Sequence, residues 1–139
     1  MPSLDEVNVG DEIPGERQTI EQAQLIQYAG ASGDFNPLHW DADFAAQVSP
    51  TGGVIAHGML NMGIAGRVVT RWAGGPERVR EISCSFRAPC PVGAEVNAGG
   101  EVVEVDAEQR TARLAIWVEL DDGSPVVDRS RSHAVVQLD

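Results

Sequence analysis

The feature that most constrains this chain is a change of hydrophobic period near its middle. From Gly58 to about Trp72, the residues Met59, Leu60, Met62, Ile64, Ala65, Val68, Val69 and Trp72 cover most of a helical circumference. A helix apolar on most sides belongs inside a core. At about 1.5 Å per residue it extends roughly 22 Å, enough to cross a small domain. Thr51-Gly52-Gly53 makes a flexible turn ahead of it, and Gly74-Gly75-Pro76 stops it. Beyond Pro76 the period becomes two. Ile82, Cys84 and Phe86 alternate with polar residues, and Ala112, Leu114, Ile116, Val118 and Leu120 form the clearest strand. Between these runs, Glu95 to Val105 reads as a strand with a bulge or bend at Gly99-Gly100. Asp121 to Ser124 turns into a last strand, Val126 to Leu138. Four consecutive antiparallel strands after one buried helix predict an α+β architecture, a sheet wrapped around a central helix.

The first half of the chain reads as helical. Thr19-Ile20-Glu21-Gln22 fits a capping box, opening a helix that runs to about Ala31 and ends at Gly33. Asp41 caps a short second helix through Ala46. No repeat, linker or low-complexity tract interrupts the sequence, so residues 1–139 are expected to form one domain.

Composition excludes several functions. A formal net charge of −11 argues against nucleic acid, whose phosphates demand a basic face. All ten basic residues are Arg, so Schiff-base chemistry on a lysine is ruled out. Cys84 and Cys90 form no CxxC pair, and Cys84 falls on the apolar side of its strand as a small hydrophobe. The opening residues lack the pattern of a signal peptide, and no apolar run is long enough to span a bilayer. A soluble, cytoplasmic protein without membrane insertion is the expectation.

Chemistry concentrates in two segments. Tyr28 to Asp41, YAGASGDFNPLHWD, places a carboxylate, an amide and an imidazole within six residues of a loop bounded by Gly33 and Pro37. Asp34 and His39 can converge there, or Asp34 is an ordinary turn residue and His39 a satisfied core histidine. Dehydrating a 3-hydroxyacyl thioester requires removing the C2 proton and protonating the departing hydroxyl. An imidazole and a carboxylate suit that proton traffic. The second segment, GVIAHGMLNMG, puts His57-Gly58 at the start of the buried helix. Free N–H groups and the positive dipole end can hold an enolate oxygen there, with the Gly58 N–H as main donor. His57 is either a structural helix-entry residue or a direct participant in proton transfer.

SGDFNPLH followed by AHGML resembles the MaoC-like dehydratase family, which includes R-specific enoyl-CoA hydratases. YAGASGDFNPLHWD and AHGMLNMGIAG look especially like the catalytic B-type subunits of actinobacterial 3-hydroxyacyl-carrier-protein dehydratases. The resemblance implies a hot-dog fold and a homodimer, or a heterodimer with another hot-dog subunit. It implies catalysis by Asp34 and His39, with Ser32 and Asn36 ordering the loop or the water and Gly58 contacting the oxyanion. Asn61 stands where many members have Ser, which leaves its polar role open. The substrate implied is a trans-2-enoyl or (3R)-3-hydroxyacyl thioester on coenzyme A or acyl carrier protein, without cofactor.

Arg67 and Arg71 lie one helical turn apart, and Arg78 and Arg80 follow. They offer either a docking patch for phosphates or an acidic carrier protein, or ordinary favourable charge near a helix C-terminus. Three histidines far apart in sequence give no metal-ligand spacing. A hot-dog thioesterase would place an acid on or beside the central helix, which has none between Gly58 and Trp72. A non-catalytic acyl-binding subunit would have lost the Asp34–His39 pair.

Overall fold

The computed structural model describes all 139 residues. Six strands form one antiparallel sheet: β1 (Glu12–Thr19), β2 (Val79–Ser83), β3 (Glu95–Asp106), β4 (Thr111–Leu120), β5 (Pro125–Val127) and β6 (His133–Gln137). Its order is β1-β3-β4-β6-β2, with β5 paired to β4. Three helices, α1 (Gln22–Ser32), α2 (Ala42–Val48) and α3 (Gly58–Ala73), complete an α+β domain in which the sheet covers α3. No helix is long and apolar enough to cross a membrane.

The core forms where the period-two pattern meets the helix. Ala112, Leu114, Ile116 and Val118 of β4 are fully buried, as alternation requires. They share one cluster with Leu60, Ile64, Ala65, Val68 and Val69 of α3. The helix is enclosed on most sides, as its apolar pattern predicts. It buries Leu60, Asn61, Ile64, Ala65, Val68, Val69 and Ala73, while Met59, Gly63, Arg67 and Arg71, each four residues from the next, face outward. Gly74 ends it in the left-handed conformation, φ +86°, and Asp41 caps α2 through bonds from the Asp43 and Phe44 N–H groups.

Local expectations meet a different structure at several points. Glu12–Thr19 is a strand, although Pro14 and Gly15 argue against one; both are tolerated because β1 is an edge and its register shifts between Ile13 and Glu16. That pairing commits Thr19 opposite Glu95, so it caps nothing; α1 begins after Glu21 with no side-chain cap. The irregularity expected at Gly99-Gly100 lies in the pairing with β1, where Ile13 and Glu16 pair with Gly100 and Ala98 and two residues stand against Gly99; on the β4 side Gly99 and Gly100 pair regularly with Trp117 and Ile116. Gly99 is required by space, since a Cβ there would lie 2.6 Å from the Trp117 ring. The last strand is broken, because Asp128 accepts bonds from the Ser130 N–H and hydroxyl and forms a tight turn between β5 and β6. The run through Cys84 and Phe86 likewise leaves the sheet after Ser83, Phe86 keeping a single bridge to Val127.

Candidate active site

The loop after α1 is built from its own short polar side chains. Gly33 caps the helix at φ +76°, which turns the chain away. The Ser32 hydroxyl donates to the Tyr28 carbonyl at 2.7 Å and accepts from the Asp34 N–H at 3.1 Å. Asp34 Oδ1 accepts from the Asn36 N–H at 3.2 Å, and Asn36 Oδ1 from the Leu38 N–H at 3.0 Å. These three residues thus wind the chain into a 3-10 turn, Pro37–His39, that delivers His39 into the interior.

His39 is held by the chain on the other side of the site. Its Nδ1 lies 2.7 Å from the Ile55 carbonyl, which can only accept, so Nδ1 carries the ring proton. Nε2 is left as an acceptor, 3.8 Å from Asp34 Oδ2. The two sequence candidates therefore meet. The Asp34 side chain is half exposed whereas that of His39 is 11% exposed, so one group faces solvent and the other faces the core.

His57 joins them. It is 1% exposed, stacks on His39 with ring centroids 3.8 Å apart and planes inclined by 23°, and meets Tyr28 in a T-shaped contact at 4.7 Å. Its Nε2 lies 3.2 Å from the Asp34 backbone carbonyl and must donate; Nδ1 has no partner. Burial, assisted by the positive charge His39 can carry, holds the His57 imidazole below its ordinary range against the opposing Asp34 hydrogen bond.

His57 also precedes the helix N-terminus. The first backbone bond into α3 is Asn61 N–H to the His57 carbonyl, which leaves the Gly58, Met59 and Leu60 N–H groups without helical acceptors. Gly58 opens onto a cavity of about 380 Å³ walled by Ile55, Asn61, Phe86, Arg87 and Cys90 among others. Asp34 and His39 do not line it. Asn61, 2% exposed, donates through Nδ2 to the His57 carbonyl, and its Oδ1 is unpartnered. Burial pushes the Cys90 thiol up to about 11, so this wall carries no thiolate nucleophile at neutral pH.

The four arginines are not a free patch. Arg67 and Arg71 both bind Glu16 on β1, Arg78 binds Asp139 and Arg80 binds Gln137. Phosphate would have to displace these partners. Glu16 went unnoticed in the sequence because the strand carrying it did.

Sequence separation also hid a convergence: Asp34, His39 and His57 present ligand atoms within 4.8 Å of one another. They are the side chains that a metal would use, yet their geometry fits one poorly. Imidazole lone pairs lie in the ring planes, and planes so nearly parallel do not meet within a metal–nitrogen bond of about 2 Å. Tyr28 and the Ile55 carbonyl complete the site. Tyr28 was within the recognised segment without a role, and a backbone carbonyl leaves no residue-type signal.

A sheet wrapped on one helix, with the polar cluster at that helix's N-terminus, defines a hot-dog domain. The domain superposes on a MaoC-like dehydratase with a TM-score of 0.91 at 32% identity, covering 99% of this chain and 42% of that one. It superposes on an (R)-hydratase from Aeromonas caviae with a TM-score of 0.85 at 30% identity, covering 96% and 98%. A 3-hydroxybutyryl-CoA dehydratase of Methylorubrum extorquens is 35% identical over 107 residues, 76% of this chain and 68% of that protein. Residues 7–122 match the model of the MaoC like domain. The chain belongs to the MaoC-like dehydratase family.

Proposed function

We propose that this chain is a hydro-lyase that reversibly hydrates a trans-2-enoyl thioester to the (3R)-3-hydroxyacyl thioester. The observation that carries this reading is the 3.8 Å separation of His39 Nε2 and Asp34 Oδ2. It is too wide for a direct hydrogen bond, and a neutral imidazole nitrogen and a carboxylate oxygen are both acceptors. One water satisfies both by donating a proton to each.

In hydration the water oxygen attacks C3 while one of its protons passes to the pair. The C2=C3 electrons move toward the thioester oxygen, and the resulting enolate is held by the Gly58 N–H at the positive end of α3. The pair then returns a proton to C2, so one water is added and both residues are restored. Dehydration is the same path reversed. The pair titrates as a unit, so its two proton transfers are assigned to both residues together.

Similarity to a 3-hydroxybutyryl-CoA dehydratase and an (R)-hydratase supports coenzyme A thioesters as substrates, with acyl-carrier-protein thioesters sharing the same reacting group. A second hot-dog unit, as homodimer or heterodimer, is part of the proposal. The MaoC-like dehydratase with the TM-score of 0.91 supports it, being more than twice as long as the matched domain. Asp34→Asn and His39→Ala test the reading. Each is expected to lower kcat by about 10²- to 10⁴-fold with the fold retained. Wild-type turnover in both would overturn it.

A further inference from the structure

His57 stands at a helix entry, where its carbonyl accepts from Asn61 but its side chain does nothing for the helix. Its side chain makes no bond to the first-turn N–H groups of α3. Its hydrogen bond and ring contacts run the other way: Nε2 to the Asp34 carbonyl, one ring face to His39, and a T-shaped contact with Tyr28. Its burial leaves Nδ1 unpaired. An apolar side chain would fill this volume without that unpaired nitrogen, so packing alone does not account for an imidazole.

Asp34 needs such a support. Its other hydrogen bonds run to Ser32 and Asn36, within its own loop, and the bond from His57 is the one that ties it to another part of the chain. His39, in contrast, is anchored to Ile55. His57 touches both members of the pair, one by a hydrogen bond and one by a ring face.

We infer that His57 is a positioning residue, which anchors the Asp34 backbone and braces the His39 ring so that the gap between them holds a single oxygen. This rests on the reading of Asp34 and His39 as the proton-transfer pair. His57 itself does not exchange protons with substrate. The titratable groups facing it are His39, Asp34 and Tyr28, with the neutral Asn61 amide on its own side. Two imidazoles 3.8 Å apart resist being charged together, and burial keeps His57 the neutral one, so the proton taken from water rests on His39 or Asp34.

Two substitutions divide the functions of the ring. His57→Gln keeps an N–H donor for the Asp34 carbonyl and loses the ring, whereas His57→Phe keeps a ring and loses the donor. With crotonyl-CoA, His57→Phe is expected to lose about 10²-fold in kcat with KM little changed, as misplacing a reacting group does. His57→Gln is expected to stay at least about tenfold above it. Equal kcat in the two variants, or wild-type kcat in His57→Phe, overturns the inference. Asp34→Asn measured alongside separates the two levels. If Asp34→Asn loses turnover while His57→Phe keeps wild-type kcat, only the positioning role fails; if Asp34→Asn keeps wild-type kcat, the pair itself fails. Should either His57 variant not fold, the wild-type protein decides. Imidazole ¹⁵N spectra are expected to show His57 as the neutral Nε2–H tautomer, and an Nδ1–H tautomer would overturn the anchor to Asp34.

Discussion

Replacing Gly58 with alanine separates chemistry from folding at the helix N-terminus. The added Cβ would sit 3.4 Å from Cδ2 and Cε2 of the Phe86 ring, a tight contact but not a prohibitive one. Phe86 is 45% exposed, so its ring can yield by a few tenths of an ångström. Alanine is the better helix former by up to about 1 kcal/mol, which offsets that adjustment. The net change in stability is therefore within about 1 kcal/mol, or roughly 4 °C in Tm for a domain of this size. The effect on turnover is of another order. The methyl group projects into the cavity that Gly58 opens onto and keeps a thioester oxygen from its N–H. Losing one such donor costs about 10²- to 10³-fold in kcat. Steady-state kinetics with crotonyl-CoA and a thermal melt on the same preparation measure both quantities. Wild-type kcat in a folded Gly58→Ala protein would refute the assignment of the enolate to this N–H.

Three further outcomes follow from the same structure. Because burial lowers the His57 pKa, the folded protein binds its proton less readily than the unfolded chain. The stability this contributes is complete above about pH 6.5 and declines as pH falls toward the folded value. Urea unfolding at about pH 7.5 and about pH 5.5 is expected to show that decline in wild type and a smaller one in His57→Gln; identical slopes would contradict it. Leu114→Ala empties a fully buried site in β4 and should cost about 2–5 kcal/mol by denaturant unfolding, with a loss below about 1 kcal/mol arguing against the packing described. Gly15→Ala would bring a Cβ to 2.7 Å from the Ala98 carbonyl oxygen, so β1 must shift, at about 1–3 kcal/mol; an unchanged melt would show that this edge is looser than described.

What was legible in the sequence was what periodicity and short-range chemistry encode. β4 and α3 lie where their apolar patterns place them, because both bury a face against the same core. Asp34 and His39 converge because the polar turns of Ser32, Asp34 and Asn36 are local. The rest depended on distant partners. β1 has one buried residue, Ile13, and is held by pairing with β3, for which Pro14 and Gly15 give no cue. Arg67 and Arg71 lost their appearance as a docking patch once Glu16 arrived from that strand. The tautomer of His39 is set by Ile55, sixteen positions away, through a backbone atom that any residue supplies. The stack of His39 on His57 likewise depends on where α3 begins relative to the loop, which composition does not record.

The most direct test of the central claim incubates the purified chain with crotonyl-CoA, follows loss of the enoyl-thioester absorbance and determines the configuration of the product. The account predicts (3R)-3-hydroxybutyryl-CoA from the wild-type chain and almost none from Asp34→Asn. An S product would contradict it. So would failure to consume any enoyl thioester, on coenzyme A or carrier protein, whether alone or combined with a second hot-dog subunit.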